Sequence, residues 1–200
     1  MTVIILGIDP GAVATGVALM LTEKTERPHL LTAETVLRKK PALYKPTQFL
    51  PVEDTYLTDV IATCARVLQT VSLGVYAAKV PDVTYRIAIE GITRPNWHMQ
   101  GRAAANPEAL LAAAIVLGNI QAWARETLDH YTEITPSGNG SAPLATYPDT
   151  LVSDAERRKP NWRSAIGKSG KLRHQRSAWD IALTASRQPL NTHTINQGKR

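Results

Sequence analysis

The chain has 200 residues, of which 44% are hydrophobic and 20% are charged, and its formal net charge is +6. This length suits one α/β domain with its own core, and the composition is that of an ordinary soluble globular protein. No apolar stretch is long enough to span a bilayer and no charged segment precedes the first one, so we expect a cytoplasmic protein without a secretory signal or an anchor. The single cysteine, Cys64, excludes an internal disulfide and is expected to be a small core residue.

The first predicted elements are three strands of an antiparallel meander. An apolar run over residues 3–8 ends on Asp9, a Pro-Gly turn follows, and a second apolar run covers residues 15–21. Residues 29–37 predict a third strand, and the short connections favour antiparallel pairing. Because a carboxylate at the end of a buried strand is costly without a cationic neighbour, we expect a basic side chain or a metal ion beside Asp9.

The middle of the chain predicts a helix and then another strand. A connection with three prolines over residues 38–51 leads to a helix that begins at residue 54 or 55 and ends near residue 73. Residues 84–90 form an apolar strand whose alternation places Glu90 on the face opposite to the isoleucines. A second buried strand therefore ends on a carboxylate. An exposed loop is expected over residues 91–106.

The remaining chain predicts two long helices. The helix over residues 107–128 is apolar on nearly all sides, so it is either the central buried helix or a dimer face. The last helix covers residues 171–186. The other predicted elements are a strand over 131–135, a flexible loop over 136–143, a short helix over 147–155, a mobile loop over 157–170 and a disordered tail over 188–200. One domain over residues 1–187 is expected.

A basic segment precedes and enters the last helix. Between residues 151 and 176 there are eight basic residues and two acidic ones, an excess equal to the net charge of the whole chain. Charge concentrated in this way indicates a polyanionic partner, and a solvated loop is the alternative interpretation. The eight basic residues are Arg157, Arg158, Lys159, Arg163, Lys168, Lys171, Arg173 and Arg176.

Three acidic residues, distant in sequence, are candidates for one site. If the Asp9 strand lies beside the Glu90 strand, the two carboxylates lie side by side, and a helix packed over that point adds Asp180. Oxygen ligands without a Cys/His pattern favour Mg²⁺ or Mn²⁺ over zinc. Clustered carboxylates repel one another without a cation. Two ions about 4 Å apart would activate a water and stabilise the leaving oxygen of a phosphodiester.

The motifs that carry these acids resemble those of a known family. GIDPG followed by TG, then IAIE, then SAWDIALTA in the last helix resemble the RuvC family of Holliday-junction resolvases, within the RNase H-like superfamily, in a phage or prophage form. The similarity covers residues 3 to about 185. It implies an RNase H-like fold, with a mixed five-stranded sheet of antiparallel strands 1–3 and parallel strands 4 and 5, and helices on both faces. A phage protein of this kind acts in the cytoplasm of a bacterial host.

The resemblance also implies residue roles. Asp9 matches the first metal-binding aspartate of the family, Glu90 the glutamate at the end of the fourth strand, and Asp180 the last aspartate of the final helix. One turn before that aspartate, where the family has another acid or a histidine, this chain has Ser177, which is a poor metal ligand. This departure makes the fourth position of the site uncertain in the sequence.

His174 is the nearest substitute for the missing ligand. It lies six residues before Asp180, about 120° away around an ideal helix, so shared ligation of one ion needs a shift in geometry. We expect His174 to contact the scissile phosphate or to assist the nucleophilic water, and the alternative is that it packs or binds the DNA backbone. Asp149 and Asp154 are further candidates for the fourth carboxylate, although no pattern places them in the cleft.

The expected DNA contacts come from three segments. The loop after Glu90 offers Trp97 as a wedge against unpaired bases, and docking within the protein is the alternative. Asn139 lies between two glycines, which form either a DNA-contacting turn or a plain one. Arg173 and Arg176 flank Asp180 at helical spacing, either as phosphate clamps or as ion-pair partners. The candidates are Arg94, Trp97, His98, Arg102, Asn139 and the eight residues of the basic segment.

The sequence therefore predicts a metal-dependent, structure-selective endonuclease that acts on four-way junctions or other branched DNA in recombination and repair. The resemblance implies a homodimer because a four-way junction is two-fold symmetric and needs paired cuts. Three alternatives are a nuclease for forks, flaps or RNA–DNA hybrids, a non-catalytic junction-binding protein, and an actin-like phosphotransferase. The last class needs a second domain and further phosphate loops, for which this chain is too short.

Overall fold

A five-stranded mixed sheet forms the centre of the molecule. The computed structural model describes residues 2–23, 26–39, 52–72, 83–92, 107–167 and 170–189. Its strands and helices are, in order, β1 (Thr2–Asp9), β2 (Ala14–Glu23), β3 (His29–Leu37), α1 (Asp54–Ser72), β4 (Val83–Glu90), α2 (Pro107–Leu128), β5 (Thr132–Ile134), α3 (Asp154–Arg157) and α4 (Lys171–Ser186).

The strand order in the sheet is β3-β2-β1-β4-β5. The pairs β1–β2 and β2–β3 are antiparallel, whereas β1–β4 and β4–β5 are parallel. Short connections produce the meander, and each parallel strand enters after a helix that crosses the sheet. The predicted sheet architecture is confirmed: strands 1–3 are antiparallel, strands 4 and 5 are parallel, and helices cover both faces.

The alternation of the strands divides the core into two layers. Ile4, Leu6 and Ile8 of β1 face α1 and α2 in one apolar cluster, and Ile5 faces α4 in the other. Cys64 is buried in the first cluster, and burial raises the pKa of its thiol to about 12, so the expectation of an unreactive core residue agrees with its placement.

Helix α2 covers the sheet on the same side as α1. Its residues Ala112, Val116, Ile120 and Ala124 are all buried in the first cluster, at helical spacing. From the sequence, the apolar character of this helix was consistent with either a central buried helix or a dimer face, and this buried stripe accounts for much of it. A covering layer is thus shown, whereas a dimer face on α2 stays a prediction.

Helix α4 lies unusually close to β1 and β2. A Cβ at Gly7 would overlap the carbonyl oxygen of Ala178, and a Cβ at Gly16 would overlap the carbonyl oxygen of His174. Both positions therefore require glycine, because only the absence of a side chain lets helix and sheet backbones approach to this distance. The contact fixes the height and the rotation of α4 over the strands.

The segment between β5 and α4 differs from its prediction. The expected short helix over residues 147–155 is wrong: two single 3₁₀ turns, Leu144–Thr146 and Asp149–Leu151, precede α3. Pro148 interrupts the helical hydrogen bonding between these turns. Ser153 then begins a new helix through a capping box with Glu156.

The mobile loop predicted over residues 157–170 makes backbone hydrogen bonds within its described part, and its mobility stays a prediction. The backbone amides of Leu144 and Ala145 donate to the carbonyl oxygens of Ala165 and Arg163, at 2.9 Å and 3.2 Å. Arg163 also stacks over the ring of Trp162, with the guanidinium carbon 5.2 Å from the ring centroid. The basic segment is therefore held against the turns that precede it.

Several predicted features lie outside the described residues. These are most of the loop after β4, with Arg94, Trp97, His98 and Arg102, together with Lys168 and residues 190–200 of the predicted tail. The contacts proposed for them and the disorder of the tail stay predictions. Among the described helices, none has the length and apolarity that a membrane crossing requires.

Candidate active site

Asp9 and Glu90 end two neighbouring parallel strands. The register of β1 and β4 pairs Gly7 with Ala88 and Ile8 with Ile89, so the two acids follow at the same level. Since side chains alternate along each strand, both carboxylates point to the face that α4 covers. Asp9 is buried at 8% exposure, and its carboxylate lies near enough to that of Glu90 to raise the pKa of Glu90. The predicted adjacency of the two strands is confirmed.

Burial and repulsion change the protonation of this pair. Burial, and then the neighbouring Asp9 carboxylate, raise the pKa of Glu90 to about 7, while the Asn139 amide and Arg173 act in the opposite direction. The Nδ2 of Asn139 donates to Oε1 of Glu90 at 2.6 Å. The raised pKa favours the protonated form of Glu90 when no cation is present, and a divalent cation bound between the two carboxylates would favour the ionised form.

His174 of α4 supplies the basic neighbour that the sequence predicted for Asp9. Its Nδ1 lies 3.1 Å from Oδ2 of Asp9, and the imidazole is 27% exposed. An ionised carboxylate can only accept, so Nδ1 of His174 is the donor in this contact. Within the described ranges no residue hydrogen-bonds Nε2. His174 is therefore oriented by Asp9, and its Nε2 is available for a hydrogen bond to a further group.

Asp180 lies six residues further along α4. Its Oδ2 accepts hydrogen bonds from the backbone N–H of Gly140 and from the hydroxyl of Tyr147, both at 2.8 Å. Burial raises the pKa of Asp180, and these two donors and Arg176 oppose that effect. The hydroxyl of Tyr147 in turn accepts from the amide of Ala142 at 3.1 Å. One oxygen of Asp180 is thus fully engaged by the protein.

One turn joins the acid of β4 to the acid of α4. Asn139 binds Glu90 and Gly140 binds Asp180, and these residues are consecutive. Gly140 has φ of +75°, and a Cβ there would lie 3.3 Å from the Cβ of Ser177. Its left-handed backbone and its tight packing on α4 both favour glycine. The turn therefore brings Glu90 and Asp180 to one region of the molecule.

The same turn accounts for Ser177. This side chain is buried at 4% exposure beneath Gly140, so it is not open to the cleft. A buried serine therefore occupies the position at which the resemblance implies an acid or a histidine, and His174 reaches Asp9 from one turn earlier.

Two of the three predicted metal ligands, Asp9 and Glu90, lie close enough together to bind one divalent cation. Within the described part of the chain, no group of three or more His, Cys, Asp or Glu side chains is gathered closely enough to hold a metal ion. The three-carboxylate cage expected from Asp9, Glu90 and Asp180 is thus not formed as one group. The Asp9–Glu90 pair fits Mg²⁺, which is commonly bound by one or two carboxylates and completes its shell with water and substrate phosphate.

Arg176 is a correction to the predicted DNA contacts. Its side chain is 0% exposed, and its guanidinium donates to the carbonyl oxygens of Leu151 and Gly167 at 2.8 Å and 3.1 Å. It also pairs with Glu156 at 3.2 Å. A residue enclosed in this way cannot reach a phosphate. Arg176 instead ties α4 to the turns of the preceding segment.

The other described basic residues lie at different depths. Arg173 is half-buried and acts on Glu90, whereas Arg158, Lys159, Arg163 and Lys171 are exposed. The four exposed residues are therefore accessible to a phosphate group of a bound nucleic acid.

The carboxylates of the basic segment do not enter the site. Arg157 donates to the backbone and the side chain of Asp149, whose side chain is 91% exposed. Asp154 is exposed in the first turn of α3. Neither aspartate therefore supplies the fourth carboxylate.

Tyr147 was missed by the sequence analysis. Its ring is buried at 6% exposure, and its hydroxyl contacts the acid of α4. Burial and the Asp180 carboxylate both raise the pKa of Tyr147, so the hydroxyl stays protonated. No local motif marks this residue, because a tyrosine after a proline-rich loop is equally typical of simple packing. Asn139 was noted only as a DNA contact, and its bond to Glu90 was not foreseen.

Comparisons with known proteins found likeness in structure and none in sequence. No family model matches the chain, and no curated protein matches it significantly. Similar solved structures include Thermus thermophilus RuvC in complex with a Holliday junction substrate, at 17% identity over 92% of each chain with a TM-score of 0.48. Another structure of Thermus thermophilus RuvC matches at 18% identity over 93% of each chain, with a TM-score of 0.46.

A further match is the Aquifex aeolicus PPX-GPPA enzyme, at 10% identity over 70% of this chain and 38% of that one, with a TM-score of 0.38. The structural neighbours thus include RuvC proteins, the family that the sequence motifs resemble. Identities and TM-scores this low do not transfer an activity to this chain.

Proposed function

We propose that the chain is a metal-dependent endonuclease that hydrolyses phosphodiester bonds in branched DNA, with four-way junctions as its main substrate. The observation that carries this proposal is the Asp9–Glu90 carboxylate pair at the carboxyl ends of two parallel strands, with His174 of α4 in contact with Asp9 and Asp180 six residues later on the same helix. Two neighbouring ionised carboxylates repel each other when no cation is present. Such an arrangement favours metal-assisted hydrolysis over a purely structural role.

Asp9 and Glu90 would hold the first divalent ion, Mg²⁺ or Mn²⁺, and Asp180 would contribute to a second one. When bound, such ions lower the pKa of a coordinated water and stabilise the leaving oxygen of the phosphodiester. Asp180 keeps Oδ1 for this purpose, since within the described residues only Oδ2 accepts hydrogen bonds.

His174 is the candidate general base. Asp9 holds its Nδ1 proton, so the imidazole has a fixed tautomer with a basic Nε2. A water between Nε2 and the scissile phosphate would lose its proton to this nitrogen as it attacks phosphorus. His174 thereby takes the proton-accepting role at a site whose fourth carboxylate position is occupied by Ser177.

The exposed basic residues before α4 would bind the phosphate backbone. Arg158, Lys159 and Lys171 are exposed, and the segment that carries the first two is held by the hydrogen bonds around Ala165. Cationic side chains on a fixed segment contribute sequence-independent affinity that falls with salt. This property suits an enzyme that recognises the shape of a branch instead of a base sequence. A homodimer would place two such sites on the two halves of a junction.

The decisive experiment uses a synthetic four-way junction with Mg²⁺, with Mn²⁺ and with EDTA. We expect symmetric nicks only when a metal is present. Asp9→Asn should abolish nicking and retain junction binding. The substitution removes the negative charge of a metal ligand, and it leaves the exposed basic side chains that would bind DNA unchanged. Nicking that persists in EDTA would contradict the proposal.

Two alternatives give different results in the same assay. A panel of forks, flaps and RNA–DNA hybrids identifies a related nuclease if one of them is cut faster than the junction. A protein that binds the junction tightly and cuts none of these substrates in either metal is a non-catalytic binder, for which Ser177 at the position of the expected acid is the favouring observation. Sedimentation of the complex measures whether two copies bind one junction.

A further inference from the structure

Two residues outside the expected ligand set donate hydrogen bonds to the acids of the site. We propose that Tyr147 and Asn139 are positioning residues, which orient Asp180 and Glu90 for cation binding through a single turn. This inference rests on the proposed function and extends it to residues that the motifs do not mark.

The first argument is a shared pattern of hydrogen bonds. Oε1 of Glu90 accepts from Asn139 at 2.6 Å, and Oδ2 of Asp180 accepts from Tyr147 at 2.8 Å. Oδ2 of Asp9 is likewise engaged by His174 at 3.1 Å. One oxygen of each carboxylate is thus held by a donor of the protein, and among the described residues no such donor engages the other oxygen. A carboxylate fixed in this way loses less rotational freedom when it binds.

The second argument is that Tyr147 is itself held in place. Its hydroxyl accepts from the backbone N–H of Ala142 at 3.1 Å while it donates to Asp180. The guanidinium carbon of Arg176 lies 5.8 Å from the centroid of its ring, and the whole side chain is buried. The hydroxyl is therefore a donor of fixed position, and it can define where the carboxylate of Asp180 lies.

The third argument is the continuity of the turn. Asn139 contacts β4 through Glu90, and Gly140 contacts α4 through Asp180 and through its packing on Ser177. The two acids come from elements that are far apart in sequence, yet one pair of consecutive residues holds both. The turn thereby sets the separation of the two acids, in a site where α4 offers no second acid one turn earlier.

The test measures metal binding without DNA and then cleavage. Tyr147→Phe removes one hydroxyl and keeps the ring over Arg176. We expect the dissociation constant for Mn²⁺, measured by titration calorimetry, to rise on the order of 10-fold, and cleavage to recover most of its rate at saturating Mn²⁺. Tyr131→Phe is the matched control, since that hydroxyl accepts from Arg125 away from the site at 3.1 Å.

Asn139→Ala tests the other half of the turn. It should weaken Mn²⁺ binding to a similar degree, because Glu90 loses its donor. Asn119→Ala is its control, as Asn119 donates only to the carbonyl oxygen of Ile115 within α2, at 2.9 Å. Circular dichroism establishes that each variant is folded, and either site variant suffices if the other fails to fold.

The outcomes separate this inference from the proposed function. If the unaltered chain binds Mn²⁺ and cuts junctions, and both site variants bind Mn²⁺ as tightly as their controls, the positioning role is overturned and the nuclease stands. If the unaltered chain binds no Mn²⁺ and cuts nothing, the proposed function is overturned, and the positioning role with it.

Discussion

The two faces of the sheet have different contents although the same strands form both. The face toward α1 and α2 is filled by an apolar cluster. The face toward α4 holds the buried charged side chains of Asp9 and Arg86, and Arg176 is enclosed on the same side. The face toward α4 also carries Gly7 and Gly16, which admit a helix at very short distance.

This difference follows from the alternation of side chains along a strand. In β1, Ile4, Leu6 and Ile8 face one way, while Gly7 and Asp9 face the other. The face toward α1 and α2 stabilises the domain by apolar burial. The face toward α4 buries less apolar area because it also holds polar and charged side chains. Residues that build the apolar core and residues of the candidate site are therefore direct neighbours in the sequence of β1. Substitutions on the two faces should therefore differ in size and in kind.

The largest expected effect on stability is the loss of Arg176. Arg176→Met removes the partner of Glu156 and the donors to Leu151 and Gly167, and it leaves these acceptors buried. We expect the free energy of unfolding in urea to fall by about 3–5 kcal/mol. The matched change Arg158→Met, at an exposed position, should alter it by less than about 0.5 kcal/mol. Equal effects would show that Arg176 is not the structural residue inferred from its burial.

A second large effect is expected at the contact between α4 and β1. Gly7→Ala places a methyl group against the backbone of Ala178 and the side chain of Ala182, so α4 must move. We expect a loss of about 2–3 kcal/mol in thermal or urea unfolding. Gly118→Ala is the control, because a Cβ at that exposed helical position meets nothing within 4 Å. It should stabilise α2 by up to about 1 kcal/mol.

An intermediate effect is expected from pH. Since the pKa of Glu90 is raised to about 7 in the folded state, the folded protein binds a proton that the unfolded chain releases near pH 4.5. Stability in EDTA should therefore fall as the pH rises from 4.5 through 7, by about 1–2 kcal/mol after solvent screening. Glu90→Gln should flatten this part of a plot of melting temperature against pH. A wild-type curve that rises over the same range would contradict the assignment.

The smallest effect is expected on the apolar face. Ile120→Val removes one buried methylene beneath α2 and should cost about 0.5–1.5 kcal/mol, with metal binding unchanged. The measurement is urea unfolding together with Mn²⁺ titration. If this variant also weakened Mn²⁺ binding, the two faces would be coupled, and the separation described above would have to be abandoned.

Much of the fold was predictable because its elements carry strong local signals. The bounds of β3, α2 and α4 agree with the sequence analysis, as alternation, helical spacing and the proline at position 107 mark them clearly. The adjacency of Asp9 and Glu90 was also predictable, since both end apolar strands. The dimer, the phage-type origin and the loop around Trp97 stay predictions.

The failures share a physical cause. Arg176 was predicted to contact DNA because its charge is visible in the sequence, whereas its burial depends on Leu151, Gly167 and Glu156 meeting in space. Tyr147 was missed for the same reason, since its partner Asp180 is remote in sequence. Local patterns predict elements and strand ends. They do not predict which distant groups satisfy a buried polar atom.

The close approach of α4 at Gly16 has a consequence for the precision of the site. The backbone of β2 touches the backbone of α4 at His174, the residue whose imidazole contacts Asp9. The distance between the His174 backbone and the sheet that carries Asp9 is therefore set by two main chains in direct contact, without intervening side chains that could adopt other rotamers. Substitutions on the solvent side of α4 should leave this backbone contact unchanged, so the outer surface of the helix can vary in sequence while His174 stays beside Asp9.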